Sequence, residues 1–112
     1  MANVKELKRV RAHIRRYPEK LDMDEWVCGT TACIAGRVAL LNGWKPVISG
    51  IDPLGRQVAS SCTKNGVTME MDDVAAEILG IRGFDTNLFY TSNERVDRWL
   101  TALIDGTEIP NS

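Results

Sequence analysis

The sequence contains a single histidine, His13, and this scarcity limits the catalytic arrangements open to the chain. Hydrolases that activate a serine or a cysteine usually use histidine as the base, so any such enzyme would have to use His13. The chain also has no GxxxxGK[ST] segment, and P-loop chemistry on nucleoside triphosphates is therefore not indicated. With few ways to assemble a catalytic constellation, we expect a protein without enzymatic activity.

Long hydrophobic runs are missing as well. No segment approaches the roughly 20 apolar residues that a membrane-spanning helix needs, and the chain is charged by Lys5 with no apolar signal core behind it. We therefore expect a cytoplasmic protein with no membrane partner. The three cysteines are an odd number in a chain without an export signal, which favours reduced thiols over a disulfide framework.

The composition is that of an ordinary globular chain. The 112 residues are 44% hydrophobic and 26% charged, which indicates neither disorder nor a fibrous repeat. A chain of this length can build one sufficient core without disulfides or metal. We expect a single domain over 1–112 and no cofactor.

The net charge of -1 conceals an uneven distribution. Residues 1–20 hold seven Lys or Arg and two Glu, a balance of +5, whereas residues 21–112 hold seven basic and thirteen acidic residues, a balance of -6. A basic arm on an acidic body suits a polyanion such as nucleic acid, and it equally suits an arm that lies against its own domain.

The first predicted helix covers residues 3–17. Leu7, Val10, Ile14 and Tyr17 recur at steps of three and four residues, which places them on one helix face. The opposite side carries basic residues, and the candidate surface for a polyanion or a partner is formed by Lys8, Arg9, Arg11, Arg15 and Arg16. A solvated helix face is the simplest interpretation of this pattern.

The segment from Trp26 to Trp44 predicts a buried central helix. Thr30 or Thr31 can cap it, the run that follows is almost uncharged, and a left-handed stop is predicted at residues 42–43. A helix that is apolar on nearly all sides needs partners around it.

The start of this helix is the main candidate site for chemistry. Backbone N–H groups and the helix dipole stabilise a thiolate or a bound anion there. The candidate ligand-binding residues are Gly29, Thr30, Thr31, Cys33 and Arg37.

Three other interpretations of the cysteines stay open. Packing of small buried thiols is the simplest. Zinc would take Cys28, Cys33, Cys62 and His13, but the spacing of Cys28 and Cys33 is loose for a structural site and the other ligands are scattered; we expect no metal. A cysteine enzyme would use Cys33 as the nucleophile and His13 as its base.

A β-hairpin is predicted after the central helix. Asn65-Gly66 joins an extended segment over 57–62 to a strand in which Val67, Met69 and Met71 share one face. Because two strands alone are marginal, the hairpin should pack on the helices. We expect the methionines on this face to fill the core.

Two further helices are predicted in the C-terminal half. Asp72 or Asp73 should cap a short helix that Gly80 closes. The segment 91–94, Thr-Ser-Asn-Glu, has the form of a capping box before the last helix, which should end at Gly106. Between them, core side chains are expected from Leu88, Phe89 and Tyr90.

Together these patterns predict a mainly helical α+β fold. Four to five helices are expected around the buried central helix, with a small β-hairpin beside them.

The order of these motifs resembles a group of small uncharacterised proteins of actinobacteria and their phages. The resemblance rests on four segments of the chain: 14–18, 26 with 28–36, 73–80 and 88–90. Its most specific part is the Cys-Gly-Thr-x-x-Cys-x-Ala-Gly core at 28–36, and Arg37 departs from the group's pattern. The resemblance implies a cytoplasmic, mainly helical accessory protein.

The predicted function is therefore non-enzymatic binding. We expect a protein partner, with the chain acting as a phage accessory, host-regulating or counter-defence factor. Two alternatives stay open: an anionic small molecule or nucleotide bound at the Thr30–Cys33 helix start, and nucleic acid bound by the basic first helix.

Overall fold

The structure, a computed structural model, describes residues 2–21, 23, 27–28 and 31–107, with the backbone alone at positions 27, 28, 31 and 84. The α-helices of this part are α1 (Val4–Arg16), α2 (Ile34–Leu41), α3 (Met71–Leu79) and α4 (Asn93–Asp105). Two 3-10 helices cover Pro18–Lys20 and Gly83–Tyr90.

Short antiparallel strands form two small sheets. The strands are β1 (Val27–Cys28), β2 (Thr31–Ala32), β3 (Lys45–Val47), β4 (Gly50–Ile51), β5 (Gln57–Ala59), β6 (Ser61–Lys64) and β7 (Val67–Glu70). One sheet has the order β2-β1-β5-β4 and the other β3-β6-β7. The prediction of a mainly helical α+β fold is confirmed.

Helix α1 forms as its apolar spacing predicts. Leu7, Val10 and Ile14 are buried. The helix begins after Asn3, whose side-chain oxygen accepts a hydrogen bond from the N–H of Glu6 at 3.3 Å. The cap satisfies one of the N–H groups that a helix start leaves without a partner.

Helix α2 begins later than the sequence suggested. The predicted cap at Thr30 or Thr31 is wrong, because Thr31 and Ala32 pair with β1 as a strand and Cys33 is the residue that caps the helix. Thr30 itself lies outside the described residues. The predicted stop is confirmed at Gly43, whose φ of +84° is left-handed.

The hairpin turn forms as predicted. Asn65 and Gly66 have φ values of +52° and +82°, the left-handed pair that a two-residue hairpin turn requires. The extended segment over 57–62, however, is not one strand. It divides into β5 and β6, which belong to different sheets, and β3 pairs with β6 on the side away from β7. The hairpin is therefore part of a three-stranded sheet.

Two predicted details at the C-terminal helices are wrong. Helix α3 begins after Glu70, earlier than a cap at Asp72 or Asp73 would allow. The cap of α4 is Ser92, which makes no side-chain capping bond. The capping box over 91–94 is absent there because the helix starts one residue later than the motif requires. Gly80 and Gly106 do terminate their helices in left-handed conformations.

The side chains of the segment before α4 divide between core and solvent. Leu88 and Phe89 are buried as predicted, but Tyr90 is 64% exposed, so its assignment to the core is wrong. In the 3-10 helix its ring faces outward, and its hydroxyl donates a hydrogen bond to Asp72 Oδ2 at 3.2 Å.

Two apolar clusters hold the helices and sheets together. The larger cluster joins all four α-helices with the 3-10 segment before α4, and among its buried residues are Leu7, Ile34, Val38, Leu79, Leu88 and Leu100. The smaller cluster joins α2 and α3 to the strands through Ala32, Ala39, Ala59, Cys62, Met71 and Val74. Met71 is buried there, which confirms the expectation of a core methionine. The smaller cluster also packs the hairpin against the helices.

We predict that Gly66→Ala destabilises the protein by about 1–2 kcal/mol, because a side chain at positive φ is sterically strained. No atom lies within 4 Å of an added Cβ, so the loss would be conformational rather than a clash. Chemical denaturation measures it, with Asn65→Gly as the control that tolerates positive φ. Equal stability of Gly66→Ala and wild type would contradict the turn assignment.

Candidate binding site

The predicted ligand-binding turn is described only in part. Gly29 and Thr30 lie outside the described residues, and Thr31 is a strand residue. Cys33 is 1% exposed, and its Sγ accepts a hydrogen bond from the N–H of Gly36 at 3.5 Å. The thiol therefore occupies the position of a helix cap in the core, where a substrate would reach it only if the helix start opened.

Arg37 points from α2 toward the segment that follows α1. Its Nη2 donates a hydrogen bond to the carbonyl of Lys20 at 3.1 Å. The side chain is half-buried, and burial holds the pKa of this guanidinium below its usual value. Arg37 thus joins two parts of its own chain.

His13 lies on α1 in a positively charged setting. Its Nδ1 is buried and has no hydrogen-bond partner among the described residues, and its ring centroid is 5.0 Å from that of Tyr17. Burial lowers the pKa of His13, and Arg37, Lys20 and Arg9 lower it further. The ring is therefore kept neutral at neutral pH.

Cys33 and Cys62, the two cysteines of the predicted zinc site whose side chains the structure describes, belong to different clusters. Cys33 is in the larger cluster and Cys62 in the smaller one. Over the described ranges, no three His, Cys, Asp or Glu side chains gather in a way that could hold a metal ion. Burial raises the pKa of the Cys62 thiol, and the nearby charge of Glu70 raises it further.

The basic side chains of α1 divide into two groups. Three of them contact their own domain: Arg9 donates to the Leu41 carbonyl at 2.7 Å, and Arg11 donates to Thr101 Oγ1 at 3.0 Å. Arg15 makes two bonds to the Asp97 carboxylate at 2.6 and 2.7 Å. The arm therefore lies against its own body, one of the two alternatives that the charge distribution left open.

The other two residues of the predicted polyanion surface remain exposed. Lys8 faces solvent, and the guanidinium carbon of Arg16 lies 5.5 Å from the ring centroid of Tyr17. With Lys5 they form the outer stripe of α1. This stripe holds two of the five residues of the predicted polyanion surface, and Arg9 and Arg15 also remain exposed beside it.

A site that the sequence did not predict lies between the hairpin and α3. We call it the hairpin groove, a cavity of about 530 Å³ lined by Trp44, Lys64, Asn65, Val67, Met69, Val74, Glu77 and Ile78. Its lining comes from Trp44, which lies after α2, from the hairpin, and from one face of α3. The alternation of Val67 and Met69 is the one sequence signal at this site, and by itself it predicts core packing.

The walls of the hairpin groove are mainly apolar and partly exposed. Val67 is 51% exposed, and Met69 and Ile78 are partly buried against the smaller cluster. Lys64 Nζ donates to the carbonyl of Asn42 at 2.8 Å, which ties the hairpin to the end of α2. Glu77 supplies a negative charge in the same groove.

No family model matches this chain, and neither the curated proteins nor the solved structures contain a match. Within the described residues no helix has the length and apolarity needed to cross a bilayer.

We predict that iodoacetamide modifies Cys62 slowly in the native protein and rapidly in denaturant, because burial both blocks the thiol and raises its pKa. Cys62 lies alone in the tryptic peptide 57–64, so mass spectrometry measures it separately. Cys33 should be protected in the same way. Rapid modification of Cys33 in the folded protein would instead favour the cysteine-enzyme hypothesis.

We also predict that His13 makes the fold less stable in acid. Its pKa in the folded protein is below the unfolded value of 6.5, so its full contribution is present above pH 6.5 and is lost as pH falls through the lowered pKa. The difference in unfolding free energy between wild type and His13→Phe should be constant above pH 6.5. Below pH 6.5, wild type should lose stability relative to the variant. A difference that is independent of pH would contradict the prediction.

Proposed function

We propose that this protein is a small non-enzymatic interaction protein that binds a partner protein in the hairpin groove. The observation that carries the proposal is the groove itself: an apolar cavity of about 530 Å³ with one lysine and one glutamate among its lining residues. Cavities of about 300–1,000 Å³ with apolar walls and few polar groups are typical of small-molecule sites. Exposed apolar surface rimmed by polar residues also marks sites of protein interaction.

The chemistry of the groove favours a protein over a small polar metabolite. Lys64 already donates to a backbone carbonyl, which leaves few charged groups to orient such a ligand. Apolar side chains of a partner need no such groups, since burial of their surface supplies the main favourable term. The exposed part of Val67 is surface that a partner would cover.

The groove is built on a rigid support. We infer that α2 is the central helix of the fold, because Ile34 and Val38 belong to the larger cluster and Ala39 to the smaller one. Trp44 lies three residues after the end of this helix and lines the groove, while Val74 and Ile78 line it from α3. A site held by two packed helices keeps its shape when a partner binds.

The wider setting is also a proposal. We place the protein in the cytoplasm as an accessory or host-regulating factor, in line with the resemblance to small proteins of actinobacteria and their phages. Polyanion binding by α1 stays a prediction. The contacts do not favour it, because Arg9, Arg11 and Arg15 already bind the protein's own residues. Anion binding at the α2 start stays one too, since Gly29 and Thr30 are outside the described part.

We predict that Val67→Lys strongly weakens capture of the partner, because it places a charge on the apolar wall of the groove. Ile51→Lys is the matched control: Ile51 is another exposed aliphatic strand residue, and it is not among the lining residues. Affinity capture from cells of the native host, quantified by mass spectrometry, should recover a protein with wild type and Ile51→Lys at similar levels. Recovery with Val67→Lys should fall at least about tenfold, the effect of losing roughly 1.4 kcal/mol.

Two outcomes would overturn the proposal. One is a partner captured equally by all three proteins, which would place binding elsewhere on the surface. The other is a nucleotide or nucleic acid in the eluate that the Val67→Lys variant still binds. That result would indicate binding at α1 or at the start of α2. Thermal denaturation of both variants confirms that they are folded before capture is compared.

A further inference from the structure

The strand that forms one wall of the hairpin groove has an open edge. In the sheet order β3-β6-β7, β7 pairs with β6 on one side, and among the described residues no strand pairs with it on the other. The opposite edge of the sheet is β3, where Pro46 lacks the N–H that a further strand would need. The edge at β7 is therefore the one suited to pairing.

The register shows which backbone groups face outward. Lys64 and Val67 flank the two-residue turn as a hydrogen-bonded pair, and the N–H of Met71 donates to the Ser60 carbonyl at 3.0 Å. Because hydrogen-bonded and non-hydrogen-bonded pairs alternate along an antiparallel ladder, Thr68 directs its N–H and C=O away from β6. Glu70 directs its N–H outward in the same way. Its C=O is not part of this edge, because Glu70 is the N-cap residue of α3.

The same alternation relates this edge to the groove. Val67 and Met69 share the face that lines the groove, and Thr68 lies on the other face. In a strand added to β7, the residues opposite Val67 and Met69 would point to the groove face, and the residue opposite Thr68 would point away from it. An added strand and a filled groove are thus geometrically compatible.

We propose that the partner is an extended polypeptide segment that adds to β7 as a strand and places alternate apolar side chains in the hairpin groove. This inference rests on the proposed function and specifies the form of the partner. An extended main chain offers donors and acceptors in the spacing that Thr68 presents, and strand addition of this kind takes specificity from pockets for alternate side chains.

A charge at the end of β7 specifies the segment further. Glu70 is the last residue of β7, and its side chain is exposed. A complementary segment carries a basic residue near Glu70, beside an apolar-polar-apolar core.

The experiment selects random linear peptides displayed on a surface against the full-length protein and measures the dissociation constants of the selected peptides by calorimetry. Thr68→Pro removes the outward N–H without removing a bond to β6, and Thr68→Val is the matched control that keeps the N–H and the shape of the side chain. We expect Thr68→Pro to weaken binding at least about tenfold, as loss of backbone bonding does, and Thr68→Val to stay within about twofold of wild type.

A second measurement does not depend on how well Thr68→Pro folds. Each selected peptide is N-methylated at one position at a time. In a strand that pairs with β7, methylation should abolish binding at alternate positions and be tolerated between them. Hydrogen exchange should show the amides of Thr68 and Glu70 becoming protected when the unmodified peptide binds.

The outcomes separate this inference from the proposed function. Peptides that lose binding to Val67→Lys but not to Thr68→Pro, with no alternation on N-methylation, would overturn strand addition and leave the groove as the site. Peptides insensitive to both variants would overturn both proposals. Failure to select any peptide would overturn strand addition, as would a wild-type dimer that Thr68→Pro dissociates, since a second copy would then cover the edge.

Discussion

The junction at Met71 is the constraint on which the proposed site depends. Strand β7 ends at Glu70 and helix α3 begins at Met71, with no connecting residue between them. The Met71 side chain is fully buried, and its N–H is bonded to the Ser60 carbonyl. The two walls of the hairpin groove are therefore fixed to each other at their common end. A longer connection would let the hairpin and the helix move apart, and ordering them would then oppose binding.

The distribution of charge gains a structural explanation from the packing of α1. The basic arm carries Arg15, which makes a paired contact with Asp97 on α4, and this contact lowers the pKa of the Asp97 carboxyl and raises that of the Arg15 guanidinium. Exposed ion pairs of this kind add little stability, so the apolar stripe of α1 holds the helix in place and the arginines orient it. The positive charge that suggested a polyanion partner is partly used within the fold. For this reason an apolar groove, rather than the basic helix, provides the better-supported surface for recognition.

The sequence predicted the parts of the fold that are local in the chain. The period of Leu7, Val10 and Ile14 is enough to define α1, and Asn65-Gly66 defines its turn because few other residue pairs accept two positive φ values. It could not predict that residues 57–64 would divide between two sheets, since that depends on distant partners for β5 and β6. The predicted start of α2 was wrong for a similar reason, because Thr31 pairs with β1 as a strand residue and therefore cannot cap the helix. The hairpin groove needs three segments to meet, and no single one of them shows it.

The exposure of Val67 distinguishes the proposed binding surface from ordinary packing. The apolar face passes from buried Met71, the first residue of α3, through partly buried Met69 to exposed Val67 on β7, so the smaller cluster continues outward into the groove. Apolar surface left in water is unfavourable, and closing the groove with larger side chains from α3 would remove it. Instead α3 presents Glu77 there, beside Val74 and Ile78. The groove keeps apolar area accessible next to an edge strand, and that combination fits a partner that supplies both a main chain and apolar side chains.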